Sequence, residues 1–393
     1  MEHKRLNMMT VQEAMDLLEV SRSTLDRWRK YRNLPYVKIG KEVFFDRNIL
    51  ETWVRQHTVV TEQTAGDPSE QEIITIGYQR GTAHMWSALV IKELHLLEDE
   101  LQSIRPASNH VVRWHNASNG LQLVEGMIAG KIQIASLGDY PTVLAADLRK
   151  ILPKFRPILI AFDGKSKGGK GISLVTEIQS KLMKPNEIIK ASVATVPNTS
   201  AGYRLNKLLL SMKLPEVNVL HQEMHASMRN LIRGQVQASM MWEPYLSLMT
   251  FNQHGRVLFD DGLGDDYLTS VVADENWCRR HEAHVVAYLR AHLKAHRIIR
   301  EMPQRAAQVI AKATRLPLAI ALSVLQRVRW DASIYERDIA TLNGLCETGL
   351  NCMSSDIHTF VKGEYVQYAA RRLSLPAPSD FPVSGDWSRE VLY

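Results

Sequence analysis

A polar, aperiodic stretch, VVTEQTAGDPSEQ at residues 59–71, divides the chain into two segments of different periodicity. It holds Gly66 and Pro68, carries acidic residues but no basic ones, and has the signature of a linker. Whatever the chain folds into must therefore place one small unit at residues 1–58, a linker at 59–72 and a much longer unit at 73–393. A length of 393 residues, 45% of them hydrophobic and 23% charged, fits two or three folded domains and excludes wholesale disorder. The net charge of +6 is unevenly spread. Residues 1–58 hold eleven Lys and Arg against eight Asp and Glu, which is half of that excess in about a seventh of the length. Such asymmetry points to an anionic partner for the first unit.

In that unit, Thr10-x-x-Glu13 forms a capping box ahead of Val11, Ala14, Met15 and Leu18, so a helix is predicted over residues 11–18. Ser21 caps a second helix over 22–30, with Leu25 and Trp28 facing inward. The turn between them is short, as in a helix-turn-helix. The second helix also presents Arg22, Ser23, Thr24, Arg27 and Arg29, donors suited to phosphates and to base edges in a major groove. Two alternating runs around Gly40-Lys41 then predict a hairpin, and Asp46 caps a last helix containing Ile49, Leu50, Trp53 and Val54. This order of elements, across VQEAMDLLEVSRSTLDRWRKYRNLPYVKIGKEVFFDRNILETWV, resembles the excisionase/MerR-like winged helix-turn-helix family. The resemblance implies double-stranded DNA as partner, with Arg22, Ser23, Thr24 and Arg27 reading it, Arg29 on the same helix, and Lys38 and Lys41 gripping the backbone from the wing. Few phosphate contacts are available to one copy, so a homodimer or higher homo-oligomer is expected.

Beyond the linker, strand signals at IITIGYQ, HVVRW and IQIA alternate with helices, which argues for a parallel sheet in an α/β domain. Ligands bind such sheets outside the carboxyl ends of the strands. The residues there are Gln79-Arg80-Gly81, Asn116 to Asn119 including Ser118, and Gly138-Asp139-Tyr140. A second series of strands, GISLV, SVAT, NVL, QASM and RVLF, brings in Asn198, Thr199 and Ser200 ahead of a Leu-rich helix. From about residue 276 to 350 the pattern is helical. The segments IGYQRG, WHNASNGLQLVEGMIAGKIQIASLGDYPTVLA, VPNTSAGYRLNKLL and LIRGQVQASMMWEPY resemble the solute-binding proteins of ABC transporters for sulfonates, taurine and nitrate. That superfamily also holds a pyrimidine-precursor branch. The resemblance spans about residues 73–350 and implies an α/β, two-lobed, periplasmic-binding-protein-like (type II) domain after the small winged helix-turn-helix domain. The second lobe would lie at about 165–270. It also implies a cleft lined by Gln79, Asn116, Ser118, Gly138 and Asp139 on one side and by Asn198, Thr199, Ser200, Trp242 and Glu243 on the other; Arg80, Asn119 and Tyr140 are their neighbours.

Thr199, Ser200 and the following helix N-terminus suit a sulfonate, carboxylate or phosphate. Asp139 and Glu243 would suit an amine unless a protein base such as Arg80 takes them, and Trp242 can pack on an aliphatic or planar body. Together they favour a small polar anion or zwitterion. Three other features have plainer readings. GKSKGGKG at 164–171 misses the final hydroxyl of a phosphate-binding P-loop and reads as a flexible crossover between lobes. His281, His284, His292 and His296 read as a solvated helix face whose basic neighbours disfavour a cation, so no metal or cofactor is expected. The tail after Gly363 reads as a loosely packed extension or dimer arm. Three scattered cysteines, no apolar run of membrane length and no signal-peptide pattern in the first twenty residues lead to the expectation of a cytoplasmic protein with no membrane partner. The function expected is a ligand-responsive transcriptional regulator and not an enzyme. The alternatives are an importer receptor, which would need export, and a pyrimidine-precursor enzyme, whose cysteine-rich segment is not seen here.

Overall fold

The structure, a computed structural model, describes residues 8–18, 20, 22, 25–26, 29, 34–39, 42–47, 49–50, 72–104, 110–214, 216–349, 357–376 and 381–393. It consists of two compact units, Met1–Glu70 and Gln71–Tyr393.

In the first unit, β1 (Met8–Thr10), β2 (Val37–Ile39) and β3 (Glu42–Asp46) form an antiparallel sheet in the order β1-β3-β2. The hairpin β2–β3 is the predicted wing; β1 was not foreseen. The capping box holds as read: the Thr10 amide donates to Glu13 Oε2 at 2.8 Å and the Glu13 amide to Thr10 Oγ1 at 3.2 Å, starting the helix Val11–Leu18. Arg22, Leu25, Asp26 and Arg29 are helical, and Leu25 packs with Ala14, Leu34, Phe45 and Leu50 in a small buried core.

The second unit carries β4 (Glu72–Tyr78), β5 (His110–Asn116), β6 (Ile134–Gly138), β7 (Pro157–Ser166), β8 (Ile172–Glu177), β9 (Ser192–Thr195), β10 (Asn218–His221), β11 (Ala238–Trp242), β12 (Gly255–Phe259), β13 (Tyr267–Asp274) and β14 (Arg329–Trp330). They build two sheets, one per lobe: β14-β7-β13-β6-β4-β5 and β10-β9-β11-β8-β12. In the first lobe β4 runs parallel to β5 and β6, whereas β13 returns antiparallel between β6 and β7. Helices cover both faces of that sheet. Trp86–Glu93, Glu282–Glu301 and Leu318–Arg327 pack on one, and Gly120–Ile128, Asp139–Ile151 and Glu336–Gly349 on the other.

β7 and β13 escaped the sequence reading because they lie inside the sheet with both faces covered, where alternation disappears. All ten residues of β7 are buried. The segment 164–171 is accordingly not a flexible crossover throughout. Gly164, Lys165 and Ser166 belong to β7, and Lys165 is fully buried, donating to Asp338 at 2.6 Å and to the Ser333 carbonyl at 2.7 Å. Only residues 167–171 cross to the second lobe, beside the returning crossover at 260–266. The two are tied by Gly262 N–H to the Gly168 carbonyl at 2.9 Å and Gly168 N–H to Asp266 at 2.9 Å. Gly169 has φ +69°, and a Cβ on it would lie 2.4 Å from the Gly262 backbone, so this junction admits glycine only.

Two further expectations are corrected. The tail is packed: Val366, Ala369 and Ala370 of the helix Glu364–Arg372 are buried in the first lobe's core, Tyr393 is buried, and the Trp387 indole donates to Asp338 at 2.7 Å. The histidines of Glu282–Glu301 are no solvated face either. His284, His292 and His296 are all buried.

Candidate functional site

The carboxyl ends of β4, β6 and β11 and the loop after β9 converge between the lobes on a cavity of about 20 Å³. That is space for a single water-sized group. Its lining includes Gln79, Thr82, Met85, Gly120, Gly138, Pro141, Thr199, Ser200, Trp242 and Tyr267. Three helices begin here. Asn119 caps Gly120–Ile128 by accepting from the Gln122 amide at 3.1 Å. Thr199 caps Ser200–Ser211, accepting from Gly202 N–H while its own hydroxyl donates to the Val196 carbonyl. Gly138 begins Asp139–Ile151. Three N-termini with positive dipole ends meet on one small space, an arrangement suited chemically to an anionic group. The space is tight by construction: a Cβ on Gly138 would stand 2.7 Å from Ser200 Oγ.

Asp139 and Glu243, read as cleft-lining acceptors for an amine, are each paired with an arginine and are absent from that lining. Asp139 is buried and accepts from the equally buried Arg204, at 2.8 Å to Oδ2; Arg204 also donates to the Asp266 carbonyl at 2.7 Å. Burial works against the charge on Arg204, Asp139 more than offsets it, and its pKa is raised. Glu243 accepts from Arg327 at 3.0 Å and from the Ser247 hydroxyl at 2.9 Å. Burial raises its pKa against the pull of Arg327. The base foreseen as a partner, Arg80, is exposed, and its backbone amide donates to Asn116 Oδ1 at 2.8 Å.

Of the other candidates, Gln79, Gly138, Thr199, Ser200 and Trp242 meet at the cavity. Trp242 also donates from its indole to the Gly81 carbonyl across the lobes at 2.8 Å. Asn119 spans the lobes to Glu223 at 3.2 Å. Ser118 is an exposed neighbour of that turn. Tyr140 and Asn198 line a separate groove of about 850 Å³ along the helix Ser200–Ser211. The sequence reading missed Thr82, Met85, Gly120, Pro141 and Tyr267, and also Arg204. Arg204 had a signal: it lies four residues after Ser200, on the same helix face.

In the first unit Arg22 and Lys38 are exposed. Arg29 is engaged within the chain, bonded to Asp26 at 2.9 Å and stacked over Tyr36 at 4.3 Å. Ser23, Thr24, Arg27 and Lys41 lie outside the described residues.

Fold and cleft define a class, a two-lobed domain of the type II periplasmic-binding-protein kind carried behind a helix-turn-helix unit. Residues 8–58 match the family model described as a helix-turn-helix domain. Over 290 residues, 71% of this chain and 83% of the relative, the chain is 23% identical to a protein of Escherichia coli (strain K12) named for binding aliphatic sulfonates. The alkanesulfonate-binding protein of Xanthomonas axonopodis pv. citri, solved bound to MOPS, superposes with a TM-score of 0.62 at 18% identity, covering 75% of this chain and 99% of that one. The periplasmic nitrate-binding protein of Synechocystis PCC 6803 does so with a TM-score of 0.62 at 12% identity, covering 80% and 92%.

Proposed function

We propose that the chain is a ligand-responsive transcriptional regulator of the cytoplasm, in which the interlobe cleft takes a small organic anion of the sulfonate class and a homodimer of the first unit binds double-stranded DNA. The observation that carries this reading is the fusion itself: a helix-turn-helix match at 8–58 joined to a fold shared with anion-binding receptors. The cleft supports an anion over a zwitterion, because three helix N-termini face it while Asp139 and Glu243 are already neutralised by Arg204 and Arg327. Ligand closes the lobes, and the population shift alters the grip on DNA to the extent that the ligand prefers the closed form. A receptor serving an importer would use the same cleft but would have no use for the first unit.

The test is selection of binding sequences from random duplex DNA by the full chain, followed by DNA-affinity measurements with and without taurine, longer alkanesulfonates and nitrate. A sulfonate that raises the melting temperature should also change DNA affinity by about 5- to 150-fold. Stabilisation by a sulfonate with unchanged DNA affinity would reject regulation and leave the receptor reading. Arg22→Ala and Lys38→Ala should weaken DNA binding and lower the salt slope by about one each if each touches a phosphate, leaving sulfonate binding intact.

A further inference from the structure

We infer that the second unit holds a metal site built from Glu72, His110, His281 and His284, at the amino-terminal end of the strands and thus at the opposite end of β4 from the cleft. Glu72 and His110 are the first residues of β4 and β5 and sit opposite each other in the parallel register. His281 precedes the helix Glu282–Glu301 and His284 lies in its first turn, so spacing of three places both rings on one side. The seven-residue length of β4 puts this cluster about 20 Å from the anion cavity.

The geometry is that of a coordination shell. Glu72 Oε1 is 2.9 Å from His281 Nδ1, and Glu72 Oε2 is 3.2 Å from His284 Nε2 and 3.5 Å from His110 Nδ1. His284 Nε2 and His110 Nδ1 face each other at 3.4 Å. A tetrahedral ion with bonds of about 2.0–2.1 Å to nitrogen and oxygen has ligand-to-ligand edges of roughly 3.3 Å; the Glu72–His284, Glu72–His110 and His284–His110 pairs come close to it, and the ligand atoms of Glu72, His281 and His284 lie within 4.8 Å of one another. One carboxylate cannot balance three imidazolium rings, whereas three neutral imidazoles and a carboxylate together suit a divalent ion of the zinc, cobalt or copper kind. The basic residues expected to repel a cation are occupied elsewhere. Arg279 is on Glu275, Arg280 donates to the Asn276 carbonyl, Arg290 and Lys294 are on Glu100, and Arg297 is on Glu301.

A second buried group, Asp163, His292 and His296, differs in kind. His292 Nε2 bonds the Phe162 carbonyl at 2.9 Å, His296 Nε2 bonds Asp163 at 2.9 Å, and the Ser87 hydroxyl donates to the other Asp163 oxygen at 2.7 Å. In that group each ring is bonded through Nε2 to a protein partner, although His296 Nδ1 has none, and the group serves as the internal control. At the proposed site His281 and Glu72 remain about a quarter to a third exposed, which leaves an entry path for an ion. Binding there clasps the first strand after the linker to the helix 282–301. Trp277, stacked on His281 with ring centroids 5.1 Å apart, lies close enough to report it.

The experiment uses untagged full-length protein stripped with chelator and titrated with Co²⁺. Expected are one equivalent bound per chain, the intense visible bands of tetrahedral Co²⁺, quenching of tryptophan fluorescence, and displacement by Zn²⁺. His281→Gln and Glu72→Gln, at part-exposed positions that leave the core intact, should each weaken binding at least about tenfold, while His292→Gln should not. Absence of those bands at stoichiometric Co²⁺, or equal binding by the His281→Gln/Glu72→Gln double variant with unchanged circular dichroism, overturns the proposal.

Discussion

Arg204, on the second lobe's helix Ser200–Ser211, pairs at 2.8 Å with Asp139, the first residue of a first-lobe helix, and both side chains are shut away from water. The pair joins the two lobes beside the cleft, so each charge is neutralised by a residue of the other lobe. Removing one partner leaves a buried charge alone, at a cost of roughly 3–5 kcal/mol. Arg204→Met is therefore expected to lower stability by about that amount in urea denaturation and to abolish the thermal shift with sulfonates. Arg204→Met combined with Asp139→Asn should recover much of the stability. A full double-mutant cycle with no coupling between the two would contradict this arrangement.

Gly138 sets the size of the cleft. Its φ of −68° is open to any residue, so the objection to a side chain is purely one of space, with Ser200 Oγ 2.7 Å from where a Cβ would stand. Gly138→Ala should cut sulfonate affinity at least about tenfold, close to 1.4 kcal/mol, with little change in urea midpoint. Isothermal titration of the variant beside the parent chain measures it, and unchanged affinity would place the ligand elsewhere.

Acidification should destabilise the second unit. Burial lowers the pKa of His84 to about 3 and of His292 to about 4, and pushes His296 well down too. Below the ordinary histidine value of about 6.5 the unfolded chain binds protons that these folded rings refuse, so stability falls with pH by up to roughly 1.4 kcal/mol per unit and per ring. Asp163 works the other way: burial raises it to about 6, so the folded chain gains a proton sooner than the unfolded one and offsets part of the loss below that pH. Glu243 and Asp338, whose carboxyls burial also raises, add to that offset, so the net loss is expected to be steepest just below pH 6.5. Urea midpoints at pH 7.5, 6.5, 5.5 and 4.5 test it, and a flat or rising series towards acid would refute it.

Elements with one wet face or a capped start could be read from residues alone: the Thr10–Glu13 box, the wing around residue 40, β4, β5 and the helix behind Asn119. So could Gln79, Gly138 and Thr199, at or shortly past the carboxyl ends of strands, whereas Trp242 came only from the family resemblance. What stayed hidden was nonlocal. β7 and β13 show no alternation because both faces are covered, and with β13 went Tyr267 at its start. The partners of Asp139 and Glu243 stand 65 and 84 positions away in sequence, and only the folded cleft brings Arg204 and Arg327 to them. The metal-type cluster was hidden for the same reason. His281 and His284 were visible as a pair, but Glu72 and His110 reach them only through the strand register.

The place of β13 at the middle of the first lobe's sheet also has a consequence for synthesis. Until residues 267–274 leave the ribosome, β7 has no neighbour joining it to β6, so that lobe cannot close even though most of its strands already exist. Among the described residues, the first unit's strands lie within residues 8–46, roughly 220 residues earlier. At about 5–20 residues per second that interval is on the order of 10–45 s. On every new chain the strands of the first unit thus leave the ribosome well before the cleft can form, and the second lobe folds as an insertion into a sheet still waiting for its central strand.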